Sequence, residues 1–159
     1  MSRFFSIIAL FFILVSCEDQ VKFNNPAVQG LKDNVVWRAT LFTAVQAADG
    51  SLTIEAYQKN EVLTLKASAT SVKTYLLGVD LANKATLVEK VGDVKTVFST
   101  GINSGDGQIV ITELDAVNHT ITGEFKFNAL NVSADPSTNP NVNFQKGIFY
   151  KVPLTVTSK

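Results

Sequence analysis

From residue 120 to residue 129, apolar and polar side chains alternate without a break. Ile121, Gly123, Phe125, Phe127 and Ala129 fall on one side, and Thr120, Thr122, Glu124, Lys126 and Asn128 on the other. Successive side chains of an extended chain point to opposite faces, so this stretch predicts a strand with one buried and one wet face, as in an antiparallel sheet. It sets the reading of the rest, because no stretch after residue 16 carries a helical period of useful length. Residues 35–45 place Trp37, Ala39, Leu41 and Thr43 on one face. Asp49-Gly50 is a hairpin signal. Residues 51–58 follow, then a Lys59-Asn60 turn and residues 61–68 with Leu63, Leu65 and Ala67 inward. Further strands are predicted at 72–81, 85–91, 94–99, 108–114 and 144–157. Pro153 has no N–H to give to a ladder, which argues that the last of these is an edge strand. Eight or nine short strands imply an all-β fold, an antiparallel β-sandwich, with a closed lipocalin-like barrel as the alternative.

The N-terminus reads differently. After Met1-Ser2-Arg3 comes an almost wholly apolar run from Phe4 to Val15, ended by Glu18 and Asp19. A signal-peptide core takes about 7–15 residues, whereas a membrane span takes about 20. The run ends Leu14-Val15-Ser16-Cys17, which resembles the bacterial lipobox. That resemblance implies cleavage between Ser16 and Cys17 and lipidation of the Cys17 thiol. Cys17 is the chain's one cysteine, so it closes no internal disulfide and builds no thiolate zinc site. Glu18 and Asp19 resemble the acidic tag that sends lipoproteins to the outer face of the outer membrane; the plainer reading is a solvated tether. The expected organisation is a leader at 1–16, a lipidated N-terminus and tether at 17–34, and a β-sandwich domain at 35–159. The anchor makes the outer membrane the expected location and the membrane the first partner.

Charge bounds the remaining chemistry. Fourteen Lys and Arg balance fourteen Asp and Glu, and no basic run supports nucleic-acid binding. No cofactor or metal site is expected. His119, the single histidine, sits in a predicted turn and reads as a turn residue rather than a catalytic base. Glu113, Asp115 and Glu124 lie on neighbouring predicted strands, and Glu113 facing Glu124 would suit a glycosidase pair; outer-face solubility explains them as well. Asp106, in Ser104-Gly105-Asp106-Gly107, offers one oxygen ligand without the EF-hand series. Trp37 and Tyr57 are candidates for an aromatic platform, but Trp37 shares a face with Leu41 and reads as core. The polar loop 131–143 is the better place to look for recognition. Asn118-His119-Thr120 and Asn131-Val132-Ser133 match short glycosylation sequons, which specify little.

Several segments resemble a family of small Bacteroidota lipoproteins of unknown function. They are Gly107-Gln108-Ile109-Val110-Ile111-Thr112, Ile121-Thr122-Gly123-Glu124-Phe125-Lys126-Phe127, and Phe144-Gln145-Lys146-Gly147-Ile148-Phe149-Tyr150 with Val152-Pro153-Leu154. The opening Asn25-Pro26-Ala27, Asp33-Asn34 and Trp37-Arg38-Ala39 is similar too, with Asn34 in place of a usual Gly. The resemblance spans nearly the whole domain and implies a fold; it brings no catalytic or binding residue, since a fold does not fix a function. The expectation is a lipid-anchored, non-enzymatic module that binds an envelope protein or a glycan. A lipocalin-like carrier of a small apolar ligand stands second, and a carboxylate-dependent hydrolase third.

Overall fold

Asp33 and Asn34 both have positive φ, 48° and 66°. This is the backbone of a two-residue hairpin whose twist suits the strands it joins. Asn and Asp tolerate that geometry best among residues with a Cβ. The turn links β1 (Ala27–Lys32) to β2 (Val35–Arg38). The computed structural model describes residues 25–133 and 139–157. The leader 1–16 and the positions Ser16, Cys17, Glu18 and Asp19 lie outside the described residues.

Nine further strands follow: β3 (Leu41–Gln46), β4 (Leu52–Gln58), β5 (Glu61–Ala67), β6 (Thr74–Leu77), β7 (Lys84–Val91), β8 (Val94–Ser99), β9 (Asp106–Asp115), β10 (Thr120–Asn131) and β11 (Asn141–Val156). The fold is all-β, with no helix among the described residues. The eleven strands among the described residues exceed the eight or nine expected, for two reasons. β1 lies in the segment assigned to the tether, so the folded unit begins at Ala27 rather than at residue 35. Residues 35–45 also break in two at Ala39-Thr40. There the face reverses: Trp37 and Ala39 are buried, Leu41 is 60% exposed, and Ala44 is buried.

The strands form one sheet folded into two layers, a β-sandwich in form. β2-β1-β11-β10-β9-β6 make the first layer and β3-β4-β5-β7-β8 the second. The layers share two corners. At one, Leu154, Thr155 and Val156 of β11 run parallel to β3; at the other, Leu130 and Asn131 of β10 pair with β8. Strands that switch layers through bends are a recognised way of turning such corners. Pro153 is therefore not on an edge strand. β11 lies between β10 and β1, and Pro153 falls where β11 has left β1, whose pairing ends at Tyr150, and not yet met β3 at Leu154. Its missing N–H faces that gap.

The interior is filled. Phe98, Phe127, Phe144 and Phe149 are wholly buried, and each such side chain contributes about 2–3 kcal/mol through loss of apolar surface to water. Phe127 stacks on Phe144 at 5.0 Å, and Trp37 meets Phe144 edge-on at 5.5 Å. Two glycines make room. A Cβ on Gly123 would lie 2.3 Å from the Phe149 ring, and one on Gly147 would lie 2.6 Å from the Phe125 ring. The hydrogen-bonded circuit does close on itself through the two corners, but around packed side chains. A lipocalin-type carrier needs a lumen where these phenylalanines stand.

Candidate functional site

A cluster of three charged side chains, Lys32, Glu61 and Glu89, sits between the layers. β5 and β7 pair antiparallel with Glu61 directly opposite Glu89, an arrangement that repels unless something intervenes. Lys32, at the end of β1 in the other layer, donates to both carboxylates through its Nζ. Trp37 Nε1 donates to the second oxygen of Glu61. The three charged side chains are only 21–22% exposed. Burial by itself lowers the Lys32 pKa, but the hydrogen bonds and negative charge of Glu61 and Glu89 together hold it above its ordinary value. Hydrolysis by a carboxyl pair needs one acid and one base facing a cleft. Here both carboxylates serve a single ammonium, which suits a latch between layers.

The carboxylates singled out in the sequence are placed differently from one another. Glu113 pairs with Thr122 and Glu124 with Val110, so the two are not directly opposite on the ladder. Asp115 caps its own turn, accepting from the backbone N–H of Val117 and Asn118 and from Asn118 Nδ2. The Asn118 side-chain bond leads the effects that lower its pKa. His119 occupies that turn with φ 51°, and its carbonyl accepts from Leu154 N–H. Asp106 accepts from Asn128 Nδ2 at 2.8 Å. Trp37 is turned into the core, while Tyr57 donates to Glu55, so the two make no platform. The loop 131–143 is pinned at its stems by Asn131 Nδ2 to the Asn139 carbonyl and by Val97 N–H to Ser133 Oγ; residues 134–138 lie outside the described residues. Among the described residues no group of three His, Cys, Asp or Glu is placed to hold a metal ion.

The candidate site is a furrow on the outer face of the first layer. Two depressions adjoin there. One is lined by Gln108, Val110, Glu124, Lys126, Gly147 and Ile148, the other by Gln29, Gly30, Leu31 and Val36, and Lys146 belongs to both. Together they cross β9, β10, β11, β1 and β2. The backbone explains the dip. Register shifts occur in β1–β11 between Gln29 and Leu31 and in β10–β11 between Phe125 and Phe127. Gly30 and Gly147 lie back to back, a Cβ on the first reaching 3.0 Å from the second's Cα. Lys146 takes φ 50° in the bulge, which turns its side chain outward. Bulges often re-aim a side chain in this way. Sequence reasoning missed both the latch and the furrow. The bulge beside Gly147 had one visible signal, the interruption of apolar alternation between Phe144 and Phe149.

No curated protein and no solved structure matches this chain. A family model described as a domain of unknown function (DUF6252) matches residues 24–153, from just before β1 to Pro153 in the corner of β11. With most of its length and every strand included in whole or in part, the chain belongs to the DUF6252 family.

Proposed function

We propose that this chain is a lipid-anchored protein of the bacterial cell envelope whose β-sandwich is a non-enzymatic binding module. The observation that carries the reading is the placement of the chain's one cysteine. Cys17 ends an apolar run in a lipobox-like Leu14-Val15-Ser16-Cys17, and it precedes the first residue of β1 by ten positions. Ten residues reach at most about 35 Å, so the anchored domain stays close to the bilayer. Lipidation by two or more chains makes such attachment stable. Glu18 and Asp19 favour the outer membrane and its cell-surface side. Recognition rather than turnover fits the side chains, since Glu61 and Glu89 both accept from Lys32 and the furrow is open and rimmed by amide, amine and carboxylate groups.

Replacing Cys17 with Ser tests the anchor. The variant is expected to leave the membrane fraction for the soluble one; retention on membranes would sink the reading. Protease treatment of intact cells tests the side. Cleavage of the wild-type domain without lysis is expected, and full protection would move the protein to the inner leaflet.

A further inference from the structure

We infer that the furrow binds an extended glycan that bears carboxylates, held by Lys126 and Lys146. This rests on reading the domain as a binding module. Lys126 and Lys146 stand on neighbouring strands and line one depression. Both are exposed, and among the described residues neither forms an ion pair. Like charges set side by side on a sheet repel, and Lys146 holds its place only through a backbone conformation uncommon for a residue with a Cβ. An anion lying between the two ammonium groups relieves that repulsion. Glu124 lines the same depression and supplies an acceptor for hydroxyl groups.

The direction of the furrow argues for sugar over peptide. An extended peptide gains most of its affinity by adding main-chain hydrogen bonds along a sheet edge. This furrow runs across the strands, where the residues are already paired: Glu124 with Val110 and Ile148, Lys126 with Gln108, and Gln29 with Ile148. Recognition falls to side chains. Gln29 and Gln108 offer amides that both donate and accept, matched to hydroxyls, while Leu31, Val110 and Ile148 offer aliphatic surface to the C–H faces of rings. From β2 to β9 the furrow crosses four strand intervals, about 19 Å at the usual spacing, enough for several rings.

The test titrates the full-length chain in non-ionic detergent with three probes of similar length: oligogalacturonate, a neutral cello-oligosaccharide and an oligoglutamate peptide. Calorimetry is expected to detect oligogalacturonate binding that weakens with added salt. It is expected to fall at least tenfold in Lys126→Ala/Lys146→Ala, with an unchanged circular dichroism melt. Should that variant misfold, Lys126→Gln/Lys146→Gly serves instead, since glycine accepts the positive φ at 146. No oligogalacturonate binding, equal binding of the neutral sugar, equal or tighter binding of the peptide, or unchanged affinity in the folded variant each overturns the inference. Binding of the neutral sugar or the peptide alone would leave the module reading standing and remove only the ligand class. Because the titration is done in detergent, its outcome does not depend on the anchor.

Discussion

Lys32 and Lys146 lie on neighbouring strands, β1 and β11, yet their surroundings differ in kind. Lys32 is tucked between two layers and donates to two carboxylates at once. Lys146 sits in a bulge on the outer face, exposed, beside a second lysine. In the first cluster the charges are complementary and partly dry, so each member depends on the others for its solvation. In the second, two lysines stand in the open beside Glu124 without an ion pair among the described residues, so each is solvated by water. Complementary charge under cover holds a fold together, while uncompensated charge in the open is left to meet something else.

Substitutions can break this contrast. The largest effect is expected from Lys32→Met, which leaves Glu61 and Glu89 opposed without a cation and should cost about 3 kcal/mol, read as a lower urea midpoint. A cost below about 1 kcal/mol, the ordinary range of exposed pairs, would demote the latch to a surface ion pair. Next comes Gly147→Ala in the floor of the furrow. Its Cβ would lie 2.5 Å from the Phe125 carbonyl oxygen, and an overpacked site of this kind costs about 2 kcal/mol in the same assay. Glu61→Gln keeps an acceptor for Trp37 but removes the charge, and about 1 kcal/mol is expected from the weakened hydrogen bond to Lys32.

Alkaline titration sharpens the picture further. The Lys32 pKa is raised on folding, so its stabilising contribution is fully present below the unfolded-state value near 10.5. It is lost as pH rises through the higher folded-state value. The stability gap between wild type and Lys32→Met should stay level through neutral and mildly alkaline pH and narrow only above that point; a gap that closes by pH 9 would contradict the assignment. The smallest effect belongs to Lys146→Ala, which should shift stability by no more than about 0.5 kcal/mol. A loss comparable to that of Lys32→Met would erase the distinction between the two lysines.

Local order was legible in the sequence and long-range coincidence was not. The alternation at 120–129 follows from properties of adjacent residues and is found in the structure; Trp37 is buried as expected, but not through a face shared with Leu41. Leu41 defeated the same reasoning because the chain changes layer at Thr40, and a change of layer reverses the face without altering the spacing. Pro153 was misplaced because a missing donor marks any gap in pairing, and a corner is a gap as much as an edge is. The latch joins residues 29 and 57 positions apart. Nothing near Lys32 announces it, and the segment around it reads as a polar lead-in. The furrow depends on two register shifts meeting side by side, and register is a property of strand pairs rather than of one strand.

The order in which the strands leave the ribosome gives β11 a particular weight. It is the last of the described strands along the chain, and three others, β1, β3 and β10, take it as a neighbour. Until it arrives, β1 and β2 have only each other, and an isolated hairpin is marginal in water. Assembly of this domain is thus back-loaded: the first of the described strands waits for the last, and the first layer stays incomplete until β11 is in place.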